Sequence, residues 1–209
     1  MNRTARIIIL LTVSLPGAAF SGSTEPQLMF HRCTVTGSTN SPLAQQRNIL
    51  KNRFTTPTPA DINASITLAA ILEPGKDVKR WSVKSAAEIE GTVFDVKPGG
   101  IESANCGARE LADRDTHIEI VPNNQVFAAS RRVIVEVTPR LRAIAATRGL
   151  DWSTEALHKL QGHRIKVRGW MFLDLEYLDE SENTAPGKRA NWRATAWEIH
   201  PVTAITILE

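Results

Sequence analysis

The 209-residue chain has two cysteines, three methionines and one tyrosine, and it lacks most of the short motifs that announce a chemistry. No Gly-rich loop ends in GKS or GKT, so the phosphate cradle of a P-loop enzyme is excluded. HExxH, GxSxG and CxxC are missing as well, which removes helix-borne zinc proteases, nucleophile-elbow hydrolases and thioredoxin-type redox centres. These absences weigh against an enzyme without excluding one. The apolar run at residues 7–15 is too short to cross a bilayer as a mature helix. With 42% hydrophobic and 22% charged residues the chain reads as an ordinary globular protein, neither collagen, coiled coil nor wholesale disorder.

The N-terminus does carry a signal. Arg3 and Arg6 precede the apolar run, and the small residues Ala18, Ala19 and Ser21 follow it. That order is a secretory signal peptide over residues 1–21, with cleavage expected after Ser21. Removing it takes away two basic and no acidic side chains, leaving 23 basic against 22 acidic and a mature charge of +1. The expected location is periplasmic or secreted, with no membrane span after cleavage. A charge of +1 disfavours single-stranded nucleic acid as a partner, because such binding neutralises many phosphates at once. In an oxidising compartment, the pair Cys33 and Cys106 is expected to form one disulfide. Two independent thiols, or a two-cysteine metal site, are the alternatives.

Three parts follow one another. Residues 1–21 are the signal peptide. Residues 22–80 form an N-terminal extension with a short helix at 42–53, where Ser41 is the N-cap and Pro42 opens the first turn, and a Pro-punctuated linker at 55–60. Its residues 62–72 are apolar enough to lie against a core. Residues 81–209 form the third part, where apolar and polar residues alternate with the period of a strand. Strands are expected at 89–96, 116–121, 133–138, 164–173 and 192–200, with a bend at Pro201 and a short final strand at 202–208. Helices are expected at 140–148 and 154–160. Three strands, a helical insertion and two more strands make the chain mainly β: a five-stranded OB-fold-like barrel with an N-terminal helical extension. Gly91 and Gly169, inside strands, mark where such a barrel coils.

Two groups of residues carry candidate chemistry. His117, Glu119, Glu136, Glu198 and His200 fall on the polar side of three strands, and a hairpin turn near Phe127 would set Glu119 opposite Glu136. Like charges across a strand pair call for an offset such as a shared proton, a nearby cation or a bound ion. Two imidazoles and two or three carboxylates suit zinc or another divalent metal. The second group is Arg164, Lys166 and Arg168, continued by Trp170 and Phe172. Basic residues interleaved with aromatics would meet phosphates and stacked bases. Residues 97–114 and 174–189 would be the loops an OB fold uses for ligands.

The stretches GHRIKVRGWMFLDLEY, RATAWEIHPVTAI, DTHIEIVP and VIVEVTPR resemble a group of uncharacterised bacterial exported OB-fold-like proteins sharing a GWxFxD and WEIHPVT pattern. The resemblance covers residues 81–208. It implies export and a nucleic-acid-type fold, and it brings no activity with it. The expected function is an exported OB-fold-like binding module for a small or polymeric ligand. A metal-dependent phosphodiesterase or nuclease built on the His/Glu group is the alternative. A structural envelope or interaction protein, using the helix at 42–53 as its contact, is a third reading.

Overall fold

The computed structural model describes residues 29–125 and 128–208. The expected signal peptide and the turn placed near Phe127 lie outside the described residues. Five strands close into a barrel in the order β1–β2–β3–β5–β4. They are β1 Ala86–Pro98, β2 Thr116–Val121, β3 Val133–Val137, β4 Arg164–Leu173 and β5 Trp197–Leu208. β3 and β5 run parallel, and the other neighbours run antiparallel. Two helices, α3 Pro139–Ala146 and α4 Thr154–His158, connect β3 to β4. Together these features define the OB-type barrel that the alternation predicted.

Each strand sends every second residue inward. Ile89, Val93, Ile118, Ile120, Val133, Val135, Ile165, Val167, Met171, Ile199 and Val202 form one buried core. Ile66, Leu68, Ile71 and Leu72, from and just before the short helix α2 Leu68–Leu72, pack into the same core. Helices α3 and α4 each start on a side-chain cap. Thr138 accepts from the Leu141 amide and Ser153 from the Ala156 amide, satisfying N–H groups that a helix leaves without partners.

β5 departs from the expected pattern. Residues 192–196 belong to the preceding loop, and the strand runs unbroken from Trp197 through Pro201 to Leu208. Pro201 is tolerated because the β4–β5 register skips there: Gly169 pairs with Val202 and Met171 with Ile199. The missing proline N–H therefore falls where the ladder is already interrupted. Arg53 takes up the freed carbonyls, donating to Met171 O at 2.9 Å and His200 O at 3.4 Å. The His200–Pro201 peptide is cis.

Gly169 permits this crossing. A Cβ there would stand 2.3 Å from Pro201 O, a backbone atom with little room to retreat. Gly169→Ala is therefore expected to destabilise the protein by about 1–3 kcal/mol. Denaturant titration should show a lower midpoint with an unchanged slope.

Helix α1 Pro42–Lys51 begins as predicted, with Ser41 capping Ala44 N and Pro42 in the first turn. Its buried side is polar. Leu43 and Ile49 are exposed, whereas Asn48, Lys51 and the adjoining Asn52 are buried. The reason is what lies beneath the helix: a polar loop and a charged face of the barrel.

Candidate metal centre

The alternation that buries Ile118, Val135 and Ile199 in the core puts His117, Glu136, Glu198 and His200 on the opposite face of β2, β3 and β5. All four are almost wholly buried, because the loop between β1 and β2 and the segment around α1 cover them. In the β2–β3 register His117 pairs with Glu136, and Glu119 pairs with Ile134. The expectation that Glu119 opposes Glu136 is thus corrected. A one-residue displacement of the hairpin centre moves each partner by two, so an imidazole, not a second carboxylate, meets Glu136. Glu119 lies apart from the cluster, held by Lys97 at 2.5 Å and Arg132 at 3.2 Å.

Glu136 is the hub. Its Oε1 lies 2.9 Å from His117 Nε2, and its Oε2 lies 3.4 Å from His200 Nδ1. His200 Nδ1 also lies 3.3 Å from Glu198 Oε2, an atom that accepts, so the imidazole donates its Nδ1 proton there. This leaves Nε2 of His200 facing Asp115 Oδ2 at 3.7 Å. Arg193 fixes Glu198 in turn, donating to Oε1 at 2.7 Å. Carboxylate orients imidazole, and imidazole presents its second nitrogen. That relay is typical of metal-bound histidine. Glu198, included among the expected ligands, is therefore a positioning residue.

Several buried atoms in this cluster have no hydrogen bond and meet only charged neighbours: both carboxylate oxygens of Asp115, Oε2 of Glu136 and Nε2 of His200. Buried polar atoms are normally hydrogen-bonded. Here four converge. Two sets of three residues bring donor atoms within 4.8 Å of one another: Glu102, His117 and Glu136, and Asp115, Glu136 and His200.

The charge balance points the same way. Glu102, Asp115, Glu136, Asp174 and Glu198 face two permanent cations, Lys51 and Arg193. Lys51 lies 2.7 Å from Glu102 and 3.5 Å from Asp174. Three negative charges remain in excess, and protons are drawn in to offset them. Burial, helped by the nearby Glu102 and Glu136 carboxylates, drives the Asp115 carboxyl up to about 7 against the pull of His200. Burial also works against the charged form of His200, yet Glu136, Glu198 and Asp115 lift its pKa to about 9. His117 is raised in the same way, burial opposing and Glu136 prevailing. Glu136 itself, despite burial, is held well below the usual carboxylate range by the two histidines. A divalent cation would displace the protons and supply the same charge.

Sequence reasoning missed Asp115, Glu102, Lys51 and Asp174. The signal for Asp115 was present, since it precedes His117 by two and shares its side of the chain. Glu102, Lys51 and Asp174 arrive from loops and from α1, where no periodicity marks them.

The cover is fastened by a disulfide. Cys33 and Cys106 are joined, with Cα atoms 5.8 Å apart, as expected. Asn52 donates to Val35 O and Ala104 O, both at 3.0 Å, and Arg140 on α3 donates to Asn52 Oδ1 at 3.1 Å. Gly37, at φ +69°, presses against the loop so closely that a Cβ would stand 2.1 Å from Ser103 O.

The basic strip has a different fate. Arg164 lies 3.5 Å from Glu90, Lys166 lies 3.0 Å from Glu90, and Arg168 lies 2.6 Å from Glu88, because β1 sets its carboxylates directly across β4. Trp170 donates its indole N–H to Thr55 O at 2.8 Å and lies under the Arg53 guanidinium. Arg164, Lys166, Arg168 and Trp170, expected as a ligand strip, thus face partners within the protein. These cations already have acidic partners, and the aromatic ring is engaged by the N-terminal extension. Sequence alternation gave each strand its polar side but not the neighbour that answers it.

Fold and centre together define an OB-type barrel with a buried histidine–carboxylate cluster on its β2–β3–β5 face. No family model matches the chain, and no curated protein matches it. Among the described residues, no helix is long and apolar enough to cross a membrane.

Glu198→Gln tests the positioning role. It keeps shape but loses the charge that orients His200, and a loss of about 10–100-fold in zinc affinity is expected. Titration calorimetry on the purified protein reads it.

Proposed function

We propose that the protein is an exported OB-fold binding module whose ligand is a divalent transition-metal ion. Asp115, His117, Glu136 and His200 hold the ion. The observation that carries this reading is the convergence of buried carboxylate oxygens and imidazole nitrogens from these four residues, those of Asp115 and His200 Nε2 without a hydrogen bond. Mixed imidazole and carboxylate donors favour zinc, manganese or iron over calcium or magnesium, which prefer oxygen alone. Export is supported by the disulfide, which persists in oxidising compartments, and by the leader-like residues 1–21.

Binding is favoured over hydrolysis by burial. Asp115, Glu136 and His200 are each 1% exposed or less, so a phosphodiester has no path to the centre while the α1 segment is in place. The clefts of about 490 and 560 Å³ are lined by residues such as Leu72, Arg131, Lys76 and Leu178 instead.

Zinc at a hundredfold excess over its dissociation constant should stabilise the native state by about 3 kcal/mol. Thermal unfolding of the disulfide-bonded protein, with and without zinc, measures this. His200→Ala should diminish the shift. An equal shift in wild type and variant would place the zinc elsewhere, and no shift in wild type would end the proposal.

A further inference from the structure

The two oxygens of Glu136 face different histidines. Oε1 stands 2.9 Å from His117 Nε2, while Oε2 stands on the His200 side, 3.4 Å from its Nδ1. Each histidine has a carboxylate of its own besides: Glu102 with His117, and Asp115 with His200. On the His200 side, His200 Nε2 and both oxygens of Asp115 are buried without a hydrogen bond. On the second side the nitrogen left open is His200 Nε2, 3.7 Å from Asp115 Oδ2, and in each set one ligand atom per residue lies within 4.8 Å of the others, a spacing compatible with a shared ion.

From this juxtaposition we infer that the centre holds two divalent ions bridged by Glu136. One ion lies between Glu102, His117 and Glu136, and the other between Asp115, Glu136 and His200. The inference rests on the metal-binding reading above and extends it from one ion to a pair. Two divalent ions exceed the three negative charges by one and a single ion falls short by one, so the pair rests on the geometry of the two ligand sets. Glu198 and Arg193 belong to the second position, where they orient His200. Lys51, bonded to Glu102 at 2.7 Å, borders the first.

Binding stoichiometry decides the matter. The purified, disulfide-bonded full-length protein is equilibrated with zinc or manganese, freed of loosely held ion, and its metal content measured against protein. Two equivalents are expected in wild type, one in His117→Ala, one in His200→Ala, and none in Glu136→Ala. One equivalent in wild type overturns the pair while leaving the metal-binding reading intact. No metal in wild type overturns both. Far-ultraviolet circular dichroism in chelator checks the fold of each variant. Should a variant fail to fold, wild-type protein with two equivalents of manganese gives an independent answer. Electron paramagnetic resonance should show a spin-coupled signal, and the six-line spectrum of isolated ions would overturn the pair.

Discussion

Replacing Glu136 by Gln is expected to lower affinity for zinc or manganese by more than about 100-fold, the largest effect of any single substitution in the centre. Even residues that merely orient a ligand contribute 10–100-fold. Glu136 touches both histidine positions, and the amide offers a weaker, uncharged oxygen to each. The substitution also acts without metal. The Glu136 carboxylate outweighs burial and keeps His117 and His200 protonated. Removing one partner from a buried charge pair destabilises by about 3–5 kcal/mol. Because the folded-state pKa values are raised, the loss should be full below the ordinary histidine pKa and shrink as pH rises toward the raised value, about 9 for His200. Calorimetric titration gives the affinity. Unfolding in chelator at mildly acidic pH gives the metal-free term.

The second large effect concerns the cover. Cys33→Ser combined with Cys106→Ser opens a loop closed across 73 residues of sequence. The chain-entropy account assigns such a loop roughly 4 kcal/mol. For a protein of this size the melting temperature should fall by about 10–15 °C. The consequence reaches the centre because the disulfide fastens the segment that brings Asn48, Lys51 and Asn52 over it. Asn48 donates to Thr36 O at 2.8 Å and to Ser103 Oγ at 3.0 Å. Those bonds hold the helix to a loop that the disulfide keeps in place. Chelator should therefore strip zinc faster from the double variant than from the native protein, at equal fraction folded. Equal rates would show that α1 stays seated by its hydrogen bonds alone.

Much of the barrel was legible because alternation is a property of consecutive residues. The period-two pattern in THIEIV and VIVEV fixes which side chains enter the core regardless of what lies beyond. The same rule put His117, Glu136, Glu198 and His200 on one face. Register was not legible. It depends on where a hairpin turns, and one residue of difference exchanged Glu119 for His117 opposite Glu136. Pro201 misled for a related reason. A proline halts a strand only where its N–H is needed, and Gly169 across from it had already broken the ladder. The polar underside of α1 could not be read from its own sequence, since Lys51 is buried by carboxylates that arrive from the β1–β2 loop and from Asp174. Charge on the strip 164–168 was visible. Its neutralisation by Glu88 and Glu90 was not, because that pairing depends on barrel closure between β1 and β4.

Elemental analysis of the purified protein tests the central claim most directly. The disulfide-bonded protein is incubated with zinc, manganese and iron(II), passed over a desalting column and assayed for bound metal. Retained divalent metal that disappears in Glu136→Gln and is reduced in His200→Ala is the predicted result. Wild-type protein that emerges empty from all three incubations would contradict it, leaving protons to balance the cluster.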